Sequence, residues 1–326
     1  MVVSLDSLSP FAQTALIAQQ KSHQQLLDWL EAGKLPTCNT PQKMANKHLQ
    51  AVLKGSRRLL QPHYRRIYNV SRRPSRHMDL SFQGLSYLPD WVCRRPDLRY
   101  LSLSHNQLQA MNPLLARCAQ LRKLDLSSNG FSRLPEGVLQ LTQVQELVLT
   151  DNLLAGLPAS FSRLRSLRVL DIGNLHPSTA QHHNNLRHFP KVLLQLPLLQ
   201  KLFLGKLPLR YLPSNLYRMQ GLRVLSLNGN RAMQWSPAFR ALGQLPDLLA
   251  LDISFIGRSR LPESIRQLKD LKILIWHEEG QRNKTFVENT LREWLPNTKI
   301  YYGKKGVATP FLRGNSIKRI EKIAEG

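Results

Sequence analysis

Four of the ten histidines fall within one short stretch, as His176, His182, His183 and His188. Imidazole nitrogens bind metals and carry protons, so a cluster of this kind is a candidate zinc or acid–base site. The spacing speaks against it. His182 and His183 are adjacent, the remaining intervals fit no common zinc motif, and no cysteine lies close in sequence. A solvated loop is the expectation. The three cysteines, Cys38, Cys93 and Cys118, form no pairing pattern, and Cys38 has no recognisable base nearby in sequence to raise its reactivity. Phosphate loops, His-Glu-x-x-His and Gly-x-Ser-x-Gly are absent, and Gly303-Lys304-Lys305 lacks the upstream glycine and the hydroxyl of a phosphate loop. Arg57-Arg58, Arg65-Arg66, Arg72-Arg73 and Arg76 are interleaved with Tyr64 and Tyr68, which suits nucleic-acid contact but equally suits the basic side of an amphipathic cap. No catalytic, cofactor-binding or metal-binding residue is expected, and the chain is not expected to be an enzyme.

What must position any functional group is a repeat. Leu-x-x-Leu-x-Leu, with Val in the first place once and Ile172, Ile253 or Trp276 in the last place of three copies, starts at Leu98, Leu121, Val144, Leu167, Leu199, Leu222, Leu248 and Leu271, and a degenerate copy starts at Ser75. Most steps are 23 residues; one, after Leu167, is 32, and one, after Leu222, is 26. Leu124-Asp125-Leu126 alternates with the period of a short strand buried on one face. Val138 and Leu141 are spaced for a helical or 3₁₀ turn on the return path. Each unit can bury its apolar side only against its neighbours, which predicts a solenoid of parallel strands.

An asparagine recurs at the ninth position, as Asn106, Asn129, Asn152 and Asn230, and a Leu-Pro pair recurs as Leu88-Pro89, Leu134-Pro135, Leu157-Pro158, Leu212-Pro213 and Leu261-Pro262. With these features the chain resembles the leucine-rich-repeat family, in the intracellular 23-residue subclass found in scaffold proteins and bacterial effectors. The resemblance implies an α/β leucine-rich-repeat solenoid, with a curved parallel sheet inside and short helices or 3₁₀ turns outside. It also implies that the asparagine bonds backbone groups in the bend. Leu175, Leu207 and Ile256 stand at the ninth position of three repeats, so those bends are expected to be irregular.

Open solenoids need caps. Residues 1–74 are expected to form an α-helical N-terminal cap, with helices over 9–33 and from about 40 to 60. Residues 75–280 form about nine repeats, and 281–326 a C-terminal cap and basic tail. Within the last segment a helix over 285–295 and a final strand over 299–302 are expected. Cys118 fills an apolar slot of its repeat and reads as a buried thiol, whereas Cys93 reads as outward.

Outward strand positions define a candidate binding face. Its first half is charged, including Lys123 and Asp125; its second half carries Phe203, Val224, Phe255, Ile273 and Ile275, flanked by Lys201 and Arg223. An exposed apolar patch of this kind marks a contact site for a protein. The formal charge of +25 divides as +9, +10 and +6 over residues 1–77, 78–280 and 281–326, so it favours anionic partners without localising them. Non-catalytic recognition of a protein, including acidic ones, is therefore the expected function. The alternatives are nucleic acid or anionic membrane on the basic surfaces, and an effector of the ubiquitin-ligase kind without a recognisable catalytic domain. No apolar run is long enough to cross a bilayer, and no secretory leader is visible. A cytoplasmic location is expected, or delivery into a host cell by another route.

Overall fold

The computed structural model describes residues 76–175, 183–277 and 286–302. The chain divides into two compact units, Met1–Arg66 and Ile67–Gly326, and all described residues belong to the second. The helices expected over 9–33 and 40–60 lie outside the described residues.

Ten three-residue strands form one wholly parallel sheet in sequence order. They are β1 His77–Asp79, β2 Tyr100–Ser102, β3 Lys123–Asp125, β4 Glu146–Val148, β5 Val169–Asp171, β6 Lys201–Phe203, β7 Val224–Ser226, β8 Ala250–Asp252, β9 Ile273–Ile275 and β10 Lys299–Tyr301. The register never slips: Leu124 pairs with Leu101 and Leu147, and Leu202 with Leu170 and Leu225. These middle residues point into the core, and Leu101, Leu124, Leu147 and Leu170 are fully buried. Each strand is thus set by its alternation and held by identical neighbours on both sides.

The return path is helical, as expected. Short α-helices occupy Asp90–Cys93 (α1), Glu136–Leu139 (α2) and Trp235–Leu242 (α3), with single 3₁₀ turns in most other repeats. The Leu-Pro pair starts them. Pro89, Pro135, Pro158 and Pro262 each precede a helical turn with φ between −64° and −71°, a value that the pyrrolidine ring imposes. The leucine before the proline anchors the turn; Leu88 is fully buried. After β9, a π-helical turn over Val287–Leu291 runs into α4, Arg292–Trp294, and β10 then pairs with β9. The expected helix near 285–295 and the final strand are both present.

The bends after the strands bury polar backbone, and asparagine serves it. Asn129 Nδ2 donates to the carbonyls of Leu103, Leu126 and Ser127 at 2.9–3.1 Å, while its Oδ1 accepts from Leu108 N at 3.0 Å. Asn106 and Asn152 do the same in their repeats. The next rung corrects an expectation. Leu175 is not the ninth-position residue in space. Asn184 is: its Nδ2 donates to Leu149 O at 2.7 Å and Ile172 O at 3.1 Å, and its Oδ1 accepts from Leu154 N at 3.0 Å. The extra residues therefore enter before the rung.

The bends with Leu207 and Ile256 are regular too. The residue before each, Lys206 (φ 53°) and Phe255 (φ 59°), takes the same left-handed conformation as His105, Ser128 and Asp151, and Leu207 and Ile256 fill the slot as buried apolar groups. Among the described bends only the one after β5 departs, since Asn174 is not among the positive-φ residues. There Gly173 stacks on Gly205: a Cβ on Gly173 would meet Gly205 N at 2.7 Å, and a Cβ on Gly205 would meet Asn228 Oδ1 at 2.5 Å.

Two outcomes are expected from thermal and urea unfolding. Asn184→Ala will cost as much as Asn129→Ala, about 1–3 kcal/mol for the buried partners left unsatisfied, whereas Asn185→Ala, at an exposed side chain, will be neutral. Gly205→Ala will destabilise by about 1–3 kcal/mol through overpacking.

Candidate recognition face

The first and third residues of each strand point away from the core onto the inner face of the sheet. Strands about 4.8 Å apart turn them into two columns. One runs His77, Tyr100, Lys123, Glu146 and on to Ile273; the other runs Asp79, Ser102, Asp125, Val148 and on to Ile275.

Across β1–β5 this face is polar and largely accessible. Lys123 Nζ lies 2.7 Å from Glu146 on the next strand and 5.7 Å from the centre of the Tyr100 ring. Partial burial pulls the Lys123 pKa down, but the hydrogen bond and charge of Glu146, with Tyr100 and Asp125, outweigh it and leave the value above that of an ordinary lysine. Both side chains stay more than 40% exposed, so the pair contributes little to stability and remains available to a partner. Asp125 is half-buried, and its Oδ1 accepts from Ser127 N at 2.9 Å and Ser127 Oγ at 2.6 Å. Asp79 and Asp252 hold Ser81 N and Ser254 N alike. These acids brace the bend with one carboxylate oxygen and leave the other for further contacts.

Across β6–β9 the expectation of an exposed apolar patch is corrected. Phe203, Val224, Ala250, Ile273 and Ile275 are 0–1% exposed and form a cluster separate from the main core, with Val169 and Tyr301 packed against it. Lys201 beside them is buried, and burial lowers its pKa. Asp252 is fully buried, its Oδ2 accepting from Ser226 Oγ and Asn228 Nδ2, both at 3.1 Å. Arg223 is half-buried at the entry to β7. Phe255 is not part of the cluster; it stands half-buried in the bend after β8, its ring 6.4 Å from His277. The side-chain types were right for a greasy wall, but accessibility depends on what lies over it.

The other chemistry is muted. Cys118 is buried as expected. Cys93, expected to face outward, is buried too, because α1 turns it toward Cys118, whose thiol lies 3.8 Å from Cys93 O. Burial, then the neighbouring Cys118, push the Cys93 thiol up to about 12, and burial pushes Cys118 up to about 11. Neither is a thiolate at neutral pH, which removes both as nucleophiles. Cys38, His176 and His182 lie outside the described residues. His183 is half-buried and His188 exposed, and among the described residues no group of three potential ligands is placed to hold a metal.

The leucine-rich-repeat profile matches residues 119–174, which span β3 to β5 with their bends. Over these residues the chain is similar to the leucine-rich-repeat family. The solenoid fold agrees with a solved structure. It superposes on the leucine-rich repeat domain of the type III effector XopL with a TM-score of 0.57 at 20% identity, over 93% of this chain and 97% of that one. A leucine-rich-repeat protein of Leptospira interrogans aligns with a TM-score of 0.37 at 21% identity, over 70% of this chain and 74% of that one. No curated protein sequence matches significantly.

The solenoid's face carries one group that sequence reading passed over. His277 follows β9, is 4% exposed, and neither ring nitrogen has a hydrogen-bond partner among the described residues. Burial lowers its pKa from the ordinary 6.5, opposed only in part by Asp252. The unfolded chain thus takes up a proton that the folded chain resists. Stability from neutral His277 is complete above about pH 6.5 and is lost as pH falls toward the lower folded value. Melting temperatures at pH 7.5 and 5.0 will therefore differ more for the native chain than for His277→Leu.

Proposed function

We propose that this solenoid is a non-catalytic scaffold that recognises a protein through its concave sheet face. The observation that carries this reading is the accessible polar wall of β1–β5, where Tyr100, Lys123, Asp125 and Glu146 are fixed by the strand ladder. A preset surface loses little conformational entropy on docking. Mixed charge on this wall supports a partner with complementary charges of both signs. The likeness to the XopL repeat domain supports the architecture and leaves the partner open.

A second reading rests on the residues that open each strand. Arg76, Arg99, Arg122, Arg168, Arg223 and Lys272 stand at equivalent positions, and the first three are consecutive along the sheet. Such a row suits a polyanion, nucleic acid above all. No helix among the described residues is long and apolar enough to cross a membrane.

Affinity capture with crosslinking separates the two. A discrete protein is expected from the native chain, with recovery reduced at least tenfold by Tyr100→Ala with Lys123→Glu at unchanged melting temperature. Recovery of nucleic acid instead, falling steeply with salt and insensitive to that pair, would refute protein recognition by this wall.

A further inference from the structure

The turns that lead into β4 and β5 border an open depression of about 460 Å³, lined by Thr142, Gln143, Ser162, Arg163, Arg165 and Ser166. None of the wall residues Tyr100, Lys123, Asp125 and Glu146 lines it. The repeat explains its place. Thr142 and Gln143 stand four and three residues before β4, and Arg165 and Ser166 four and three before β5. Because the two strands are in register, the two turns are neighbours, about 4.8 Å apart. Ser162 and Arg163 come from the 3₁₀ turn Ala159–Arg163 that feeds the second of them.

The lining combines two guanidinium groups, three hydroxyls and one primary amide, with no carboxylate. That composition is local. At the place of Gln143 and Ser166, the turns before β2, β8 and β9 carry Asp97, Asp247 and Asp270. The repeat accepts an acid there, and these two copies lack one. The donors are also unspent. Among the described residues the side chains of Thr142, Gln143, Arg165 and Ser166 make no hydrogen bond or ion pair. Ser162 alone of the hydroxyls has committed its proton, to Ala159 O at 2.9 Å. Arg163 Nη1 lies 2.5 Å from Glu136 Oε1, but both side chains are 57% exposed. Such a pair is weak, and a guanidinium has five N–H donors to share.

Unspent donors around two positive charges select an oxyanion. A phosphate monoester brings nearly two charges and three acceptor oxygens, and arginine meets it with paired hydrogen bonds. A carboxylate would leave part of this donor set idle, and a metal cation would find no acidic ligand in the lining. The depression is also larger than one phosphate group, which leaves room for the group that carries it. We propose that it is a binding site for a phosphate monoester, with Arg165 and Arg163 as charge partners and Thr142, Gln143 and Ser166 as neutral donors. The site goes beyond protein recognition by the β1–β5 wall and stands whichever partner that wall grips.

The test is an amide NMR titration of the full chain at constant ionic strength, with chloride replaced by inorganic phosphate. Saturable shifts are expected at residues 142–143 and 162–166, with β1–β3 unmoved. Arg165→Gln with Ser166→Ala is expected to weaken the apparent affinity by about tenfold or more at unchanged melting temperature, since neither side chain is in the core. Glu136→Gln removes the carboxylate that competes for Arg163 and is expected to tighten binding, a gain that no folding defect imitates. A phosphoserine peptide and adenosine monophosphate, titrated in the same way, identify the carrier: the one that binds more tightly than inorganic phosphate bears the group, and equal affinities assign free phosphate. Shifts spread evenly along Arg76, Arg99 and Arg122, an affinity indifferent to the Arg165 and Ser166 changes, or no gain from Glu136→Gln would overturn the proposal.

Discussion

The bend behind each strand is the constraint on which this molecule depends. A strand of three residues ends almost as it begins, so the chain turns while its amides and carbonyls are packed among leucines and cut off from water. Unpaired backbone groups in that position cost more than a strand this short can recover. Asparagine resolves the conflict because one side chain both donates and accepts. Asn129 ties three carbonyls and one amide from two successive turns. Every rung thereby couples neighbouring repeats as well as closing its own bend, and the sheet register follows from that coupling.

The same constraint explains how the long repeat is tolerated. Nine additional residues sit between the strand and the rung, and Asn184 returns to the place that Leu175 would otherwise hold. Asn174 closes the near end of the excursion, with its Oδ1 accepting from Asn184 N and its Nδ2 donating to Lys206 O and Asn184 O. The chain gains length where loop entropy is cheap, since closure cost rises only slowly with length, and the ladder continues past it. The local cost appears in the two glycines, which let neighbouring bends approach more closely than any side chain would allow.

The inner face follows a different logic from the core. Core leucines are buried by the repeats on either side, so their environment is guaranteed wherever the repeat recurs. Inner-face residues have no such guarantee. Lys123 and Glu146 remain accessible as a cross-strand pair, while Val224 and Ile273, at the same positions on later strands, are sealed. The solenoid thus separates a face into an accessible polar part and a buried apolar part without any change in strand register.

Much of this was legible in the chain alone. The 23-residue step determined the solenoid, the parallel register and the core, because burial at alternate positions repeated eight times admits one arrangement. Leu-Pro announced the turns, and Lys299 to Tyr302 announced a last strand. The displaced rung was also legible in principle, since Asn184 precedes Phe189 by the same five residues that separate Asn152 from Leu157; counting forward from the strand instead of back from the Leu-Pro pair led to Leu175. Exposure was not legible. Phe203, Val224, Ile273 and Ile275 have side chains suited to an open contact patch, and Cys93 occupies an outward-looking place in its pattern, yet all are buried. Accessibility is a property of the atoms packed over a residue, which the repeat pattern does not specify. Tertiary structure alone decided it.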